Sequence, residues 1–493
     1  MVRLWEPAHQ VALVAFTAPL AIATRLGATK LVSQTNTTHP QQPAAVPIHH
    51  LPPEILSLIF RYYLADVWLS LTYRAPIWTL MRVCTLWRNV ALSNHLLWTK
   101  IDGSPRGKPS ESPKQSRSVL ETYLTRSNPA LLDIRLNLSY HDAFRIALEI
   151  FWQNRHRWRS LSIAANADVN IHNVLKSLGS DFGYGLPNLE EINLLYDGKC
   201  GTMAALSPIP ALRTLVASST FLVKPAKDHV RSAWKLITRY HGPAFSHIGT
   251  HPFILHLMPN LEICAIRDHG VNIKMGIASA RYAGVQHDLP NLRVLHLSGN
   301  KNDTCLGMMR APQLRKYEHR GVRGECALSN FIDRSKCALT TLSVRYGPHG
   351  KCLYELIQLL PALHTLILRD NRDAPNDFEG GADSTDVPSL LSGKPAALSQ
   401  LSVLKVERYR QCSYKGTHDS DSFVILVKNL IALRPLRLQR ARLYVPSVDV
   451  GAAWRFIREA CSSVPACVDV AAGDISSYDT DEVDIKEIAE FVN

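Results

Sequence analysis

The chain has no long hydrophobic run, no paired cysteines and no catalytic signature, and each absence removes a class of protein. The apolar run at residues 11–23 is thirteen residues long, too short for the roughly twenty that a spanning helix needs. It has the length of a signal-peptide core, but Glu6, Pro7 and His9 spoil the basic segment that should precede it. Three glycosylation-type triplets, at Asn36, Asn137 and Asn302, are what chance gives in 493 residues. The run therefore reads as a loosely attached amphipathic segment or a misassigned gene start rather than a secretion signal. Ten cysteines are scattered, and the closest pair is Cys461 and Cys467. That fits neither a disulfide framework nor a zinc site, so reduced thiols in the cytoplasm or nucleus are expected. GxSxG, a P-loop, a helix-opening GxGxxG and HExxH are all missing. The twenty histidines, among them His247, His251 and His256, lack paired metal-ligand context. No catalytic residue, metal or cofactor is expected, and no enzyme.

What is present is an ordinary folding composition, with 46% hydrophobic and 20% charged residues. The length suits two or three domains or one repeat array. Net charge is +13, but residues 474–493 hold seven acids and one base. A basic body with an acidic tail can mean an acidic or nucleic-acid partner, but a merely solvated surface is the favoured reading.

Composition divides the chain further. Residues 1–47 form a flexible N-terminal segment, rich in Gln, Thr, Pro and Asn at 33–47, and residues 102–118 (DGSPRGKPSESPKQSRS) read as a linker. Between them, residues 48–101 are dense in large apolar side chains, with Trp68, Trp78, Trp87 and Trp98. Pro52 and Pro53 sit where a helix opens, and the spacing predicts a helix over 54–64 with apolar rows Ile55–Ile59–Tyr63 and Leu56–Phe60. Two rows exceed the single stripe of a surface helix, so one is expected to serve a partner. A second helix is predicted over 76–94 from Ile77, Leu80, Met81, Cys84, Trp87 and Ala91.

LPPEILSLIF at 51–60, VCTLWRNVAL at 83–92 and LLWTKI at 96–101 resemble the F-box, in order and in spacing. The stretch 65–75 between the helices is longer and more aromatic than in compact members. The resemblance implies three helices that bind a Skp-type adaptor within a cullin ubiquitin ligase. It implies that Leu51, Pro52, Ile55 and Ile59 face the adaptor, while Trp87 and Trp98 hold the module together. The competing reading is a helical cap on the downstream array, which the proline–serine linker argues against.

From residue 119 to 473 one pattern recurs: leucine, two residues, leucine, one residue, leucine. LPNLEEINL, MPNLEICAI, LPNLRVLHL, CALTTLSV, LPALHTLIL and LSQLSVLKV are the clear copies, and weaker ones start at Trp158, Leu212 and Leu314. Their spacing, about 22 to 49 residues, resembles irregular leucine-rich repeats. The expected fold class is α/β: a small helical module followed by a leucine-rich-repeat-like solenoid with a parallel concave sheet. An ordinary α/β domain is the alternative.

Alternation places one row of residues outward, Asn193, Ala265, His296, Ser343, Ile367 and Lys405, and a second row at Leu195, Arg267, Ser298, Arg345, Arg369 and Glu407. The arginines point to an acidic or phosphorylated protein target, because guanidinium binds carboxylate and phosphate in two-point geometry. Candidate target contacts are Arg267, His296, Arg345, Arg369 and Lys405. Lys227, Arg231, Lys235 and Arg239 recur every four residues, which on a helix would make a basic face. That is the basis of an alternative function, a nucleic-acid or phosphate-binding repeat protein with no ligase role. Residues 373–386 read as a long acidic insertion loop.

Overall fold

The computed structural model describes residues 51–104, 113–137, 148–165, 186–196, 209–217, 234–243, 254–267, 286–298, 303–319, 325–346, 356–370, 400–407, 440–445 and 468–472. The N-terminal segment, the acidic insertion, the acidic tail and Lys227 and Arg231 lie outside them. The chain divides into two compact units, Met1–Pro52 and Pro53–Asn493. All the elements below belong to the second.

Helix α1 (Pro53–Tyr63) opens on proline, whose fixed φ and missing N–H suit a first turn. The predicted second helix is two: α2 (Pro76–Val83) and α3 (Thr85–Ser93), separated by an extended Cys84 at φ −159° and ψ 175°. Val83, Cys84 and Thr85 are all poor helix formers, so the chain breaks where propensity is weakest. The break lets Ile77 and Leu80 of α2 and Val90 and Ala91 of α3 all turn inward.

The long stretch between α1 and α2 also has a use. It contains β1 (Leu69–Ser70), which pairs parallel with β2 (Lys100–Asp102). Residues 113–118, expected to be linker, are instead the first turns of α4 (Pro113–Arg126). This helix buries Val119, Leu120 and Tyr123 completely, an apolar row at i, i+1 and i+4 that the polar residues before it disguise in sequence. Residues 105–112 lie outside the described set. Through β1 and β2 the helical module joins the ladder of the sheet.

Among the described residues that sheet has fifteen strands in chain order, apart from β9 (His287–Asp288) and β11 (Met309–Arg310), which pair with each other. After β2 come β3 (Leu132–Asn137), β4 (Trp158–Ala165), β5 (Glu191–Tyr196), β6 (Thr214–Ala217), β7 (Arg239–Gly242) and β8 (Ile263–Arg267). They are followed by β10 (Val294–Ser298), β12 (Lys316–His319), β13 (Thr341–Tyr346), β14 (Thr365–Asp370), β15 (Val403–Glu407), β16 (Arg440–Val445) and β17 (Val468–Ala472). Every pairing is parallel; for example Leu295 stands opposite Cys264 and Tyr317. Parallel neighbours need a crossover, and the 22 to 31 residues between successive register positions from Thr214 to Thr365 provide it.

The recurring Pro-x-Leu is a turn. Leu189, Leu212, Leu261, Leu292, Leu314 and Leu363 each donate their N–H to the carbonyl three residues earlier. Proline occupies the second position each time, where its φ favours a type I turn. The first and last residues of these turns are buried, Leu186 with Leu189 and Leu289 with Leu292 among them. Ile192, Leu215, Tyr240, Cys264, Leu295, Tyr317, Leu342 and Leu366 continue the core as one buried row of the sheet. Gly242 is required by close packing: a Cβ there would lie 2.8 Å from the Tyr240 hydroxyl and 3.0 Å from the Ala217 carbonyl oxygen.

Candidate functional site

Helix α1 divides its apolar residues between two jobs. Leu56 and Phe60 are buried, at 0% and 1% exposure, whereas Ile55, Leu58 and Tyr62 stand 43%, 56% and 83% exposed. Positions i, i+3 and i+7 fall on one stripe of a helix, and the half-buried Ile59 lies along its edge. Val83 at the end of α2 and Leu96 in the turn after α3 are also more than half exposed. Arg61, Arg82 and Arg88 are exposed polar neighbours in sequence. Apolar surface of this kind, on a small module, is the usual mark of a protein contact.

The face is held from behind. The Phe60 ring meets the Trp87 ring edge to face, with centroids 5.0 Å apart. The Asn94 amide donates to the Ser57 hydroxyl at 2.6 Å, tying α1 to the end of α3. Trp98 is fully buried, and its indole N–H donates to the Ala91 carbonyl at 2.8 Å. Both tryptophans thus pack within the module. Of the four adaptor contacts inferred from sequence, Ile55 and Ile59 lie on the stripe. Leu51 is half-buried and Pro52 exposed, and both fall in the other compact unit. Leu58 and Tyr62 share the stripe and are not among those four. The spacing from Ile55 could have revealed them, but Tyr62 does not match an apolar row built on Tyr63.

Residues 48–104 match the family described as F-box-like. The chain carries an F-box-like domain. Comparison with curated proteins gives no match. F-box domains bind Skp-type adaptors, and the open stripe lies within the matched residues.

The sheet presents a second region. One register row crosses it from Ser70 through Asp102, Arg135, Ser162, Asn193, His241, His296, Glu318 and Ser343 to Lys405 and Asp469. Its middle is buried: Asn193, His241, His296, Glu318 and Ser343 are at most 9% exposed. His296, expected to meet a target, places Nδ1 3.2 Å from Oε2 of Glu318. Lys405 is half-buried in β15. Arg345 and Arg369 are register partners, with Glu407 next, and Arg267 stands opposite Ser298. The side chains of Arg267, Arg345 and Arg369 lie outside the described residues.

The strand of His241 carries Tyr240 in place of leucine and does not match the repeat pattern, and Glu318 lies in the weaker copy that starts at Leu314, outside the row read from the clear ones. In β7 the buried set is Trp234, Ile237 and Tyr240, and the turn from Trp234 to Ile237 forms without proline. The same strand corrects the basic helical stripe. Lys235 sits in that turn and Arg239 begins β7, so these two do not share a helix face.

At the start of the sheet, Arg159 binds Asp133 in two-point fashion at 2.9 and 2.6 Å. Burial, then the nearby Asp133, raises the Glu191 carboxyl above its ordinary range, against the pull of Arg159 and Arg239. Cys264 and Cys337 are free buried thiols whose pKa burial pushes up, so neither is an activated nucleophile. Among the described residues no group of three His, Cys, Asp or Glu could hold a metal, and no helix is long and apolar enough to cross a membrane.

Proposed function

We propose that this chain is a substrate-recognition adaptor of a Skp–cullin–F-box-type ubiquitin ligase. The α1 stripe docks on the Skp-type adaptor, and the leucine-rich-repeat-like solenoid holds a protein target for ubiquitin-dependent degradation. The observation that carries the reading is the exposed Ile55–Leu58–Tyr62 stripe within the F-box-like match, above a fully buried Leu56–Phe60 row. Such a helix satisfies its own core and still offers a second apolar row to another chain. The repeats supply parallel strands whose non-core face mixes polar residues with Val216, Ala265 and Ile367. On this reading Lys405, with the register neighbours Arg345 and Arg369 and with Arg267, draws an acidic or phosphorylated target, since guanidinium pairs bind such groups in two-point geometry. His296 belongs to the same face, in register with Glu318.

The mechanism needs no chemistry in this chain. A target held beside a charged conjugating enzyme meets it at high effective concentration, and ubiquitin transfer is carried out by other subunits. Co-purification tests the reading: the full chain captures a purified Skp-type adaptor, and a Leu58→Asp, Tyr62→Asp variant does not. Undiminished capture by a folded double variant defeats it.

A further inference from the structure

The F-box-like match ends at residue 104, but the packing that orients its docking helix continues past that point. Tyr123 of α4 is fully buried. Its ring lies 5.8 Å from that of Trp98 and 6.1 Å from that of Trp78. Its hydroxyl accepts the indole N–H of Trp78 at 3.0 Å and donates to the carbonyl of Ser70, also at 3.0 Å. One hydroxyl therefore joins three elements: α4, which carries it, α2 through Trp78, and β1 through Ser70. Burial raises the phenol pKa, so the group stays a neutral donor and acceptor.

The same, C-terminal end of α4 is also pinned to the sheet. Arg157, immediately before β4, is buried. Its guanidinium donates to the Leu124 carbonyl at 3.2 Å, the Ser127 hydroxyl at 2.8 Å and the Ala130 carbonyl at 3.0 and 2.8 Å. So α4 is fastened to the helices by Tyr123 and to the strands by Arg157. β1, β2 and β3 continue the same ladder, with Ile101 between Leu69 and Ile134.

We infer that Tyr123 is a positioning residue, which locks the docking face of α1–α3 to the repeat sheet at one orientation. A swinging linker would let a docked ligase sample many directions. Here the connection is a buried, hydrogen-bonded cluster, and the two halves move together. The inference rests on the proposed ligase role for what the orientation serves; the coupling itself does not.

Two measurements on the full chain decide it. In hydrogen exchange, Tyr123→Phe keeps the ring and removes both hydroxyl bonds. Peptides covering α1, α2 and α3 should then exchange on the order of tenfold faster, with β10 and β13 unchanged. Trp78→Phe, which removes only the indole N–H, should reproduce the direction. Unchanged exchange in both variants overturns the coupling. In the second measurement, the chain is assembled with purified Skp-type adaptor, cullin–RING subunits, conjugating enzyme and ubiquitin. Its own lysines serve as acceptors. Wild type should be modified at a restricted set. Tyr123→Phe should bind the adaptor within about twofold of wild type and spread modification over more lysines. An unchanged set, with exchange accelerated, overturns the positioning role. If the wild type fails to bind the adaptor, the ligase role falls, and the exchange result still settles the coupling.

Discussion

Truncation of Tyr62 separates the two rows of α1. Tyr62 is 83% exposed, so nearly all its surface remains for a partner to cover. A tyrosine buries roughly 150–250 Å², and at about 25 cal/mol per Å² the exposed part corresponds to about 3–5 kcal/mol. Ordering and desolvation on association absorb part of that. Tyr62→Ala should therefore weaken adaptor binding by about tenfold to a few hundredfold, at 1.4 kcal/mol per factor of ten. Folding stability should change by no more than about 0.5 kcal/mol, because the side chain touches solvent rather than core. Leu56, one turn and a half away and 0% exposed, is the internal control. Leu56→Ala should cost about 2–5 kcal/mol of folding stability. Titration calorimetry with purified adaptor reads the first effect and urea denaturation the second. If Tyr62→Ala binds like wild type, or loses stability like Leu56→Ala, the division of the helix into a docking row and a core row is wrong.

Three further outcomes follow from the packing. Arg157→Met retains the stem but strands the Leu124 and Ala130 carbonyls, and should lower stability by about 2–4 kcal/mol in denaturant titration. Gly242→Ala forces a methyl against the Tyr240 hydroxyl and the Ala217 carbonyl, at a cost of about 1–3 kcal/mol by the same assay. Glu191 has a folded pKa above its unfolded value, so the native state holds the proton more tightly. Its contribution is present below the unfolded pKa and is lost as pH rises through the folded pKa. Glu191→Gln should therefore flatten the fall in Tm as pH is raised through the window above 4.5, and an unchanged profile refutes the assignment.

How much was legible depended on which residue types a pattern used. Where repeats were written in leucine and proline, as in LPNLRVLHL, turn, strand and inward row could all be read, because period two and the φ of proline leave few alternatives. Where Trp234, Ile237 and Tyr240 did the same job, the strand was passed over and Lys235 and Arg239 were assigned to a helix face. The linker reading failed at 113–118 for a related reason. Local polarity outweighed Val119, Leu120 and Tyr123, whose value comes only from the distant Trp78, Trp98 and Ser70. On α1 the second apolar row was visible, but its membership was not, since Tyr62 and Tyr63 look alike until one is covered.

The sequence by itself determined the F-box-like module, the opening of α1 at proline, and the repeated strand that fills the core. These are local matters of dihedral preference and hydrophobic period. Only the tertiary structure decided that the module and the sheet share one ladder, that Tyr123 and Arg157 fasten α4 between them, and that His296 lies buried beside Glu318. Each of those depends on residues far apart in the chain meeting in a buried space, where an unmet hydrogen bond is costly and a partner must be found. No pattern along the chain specifies which partner that will be.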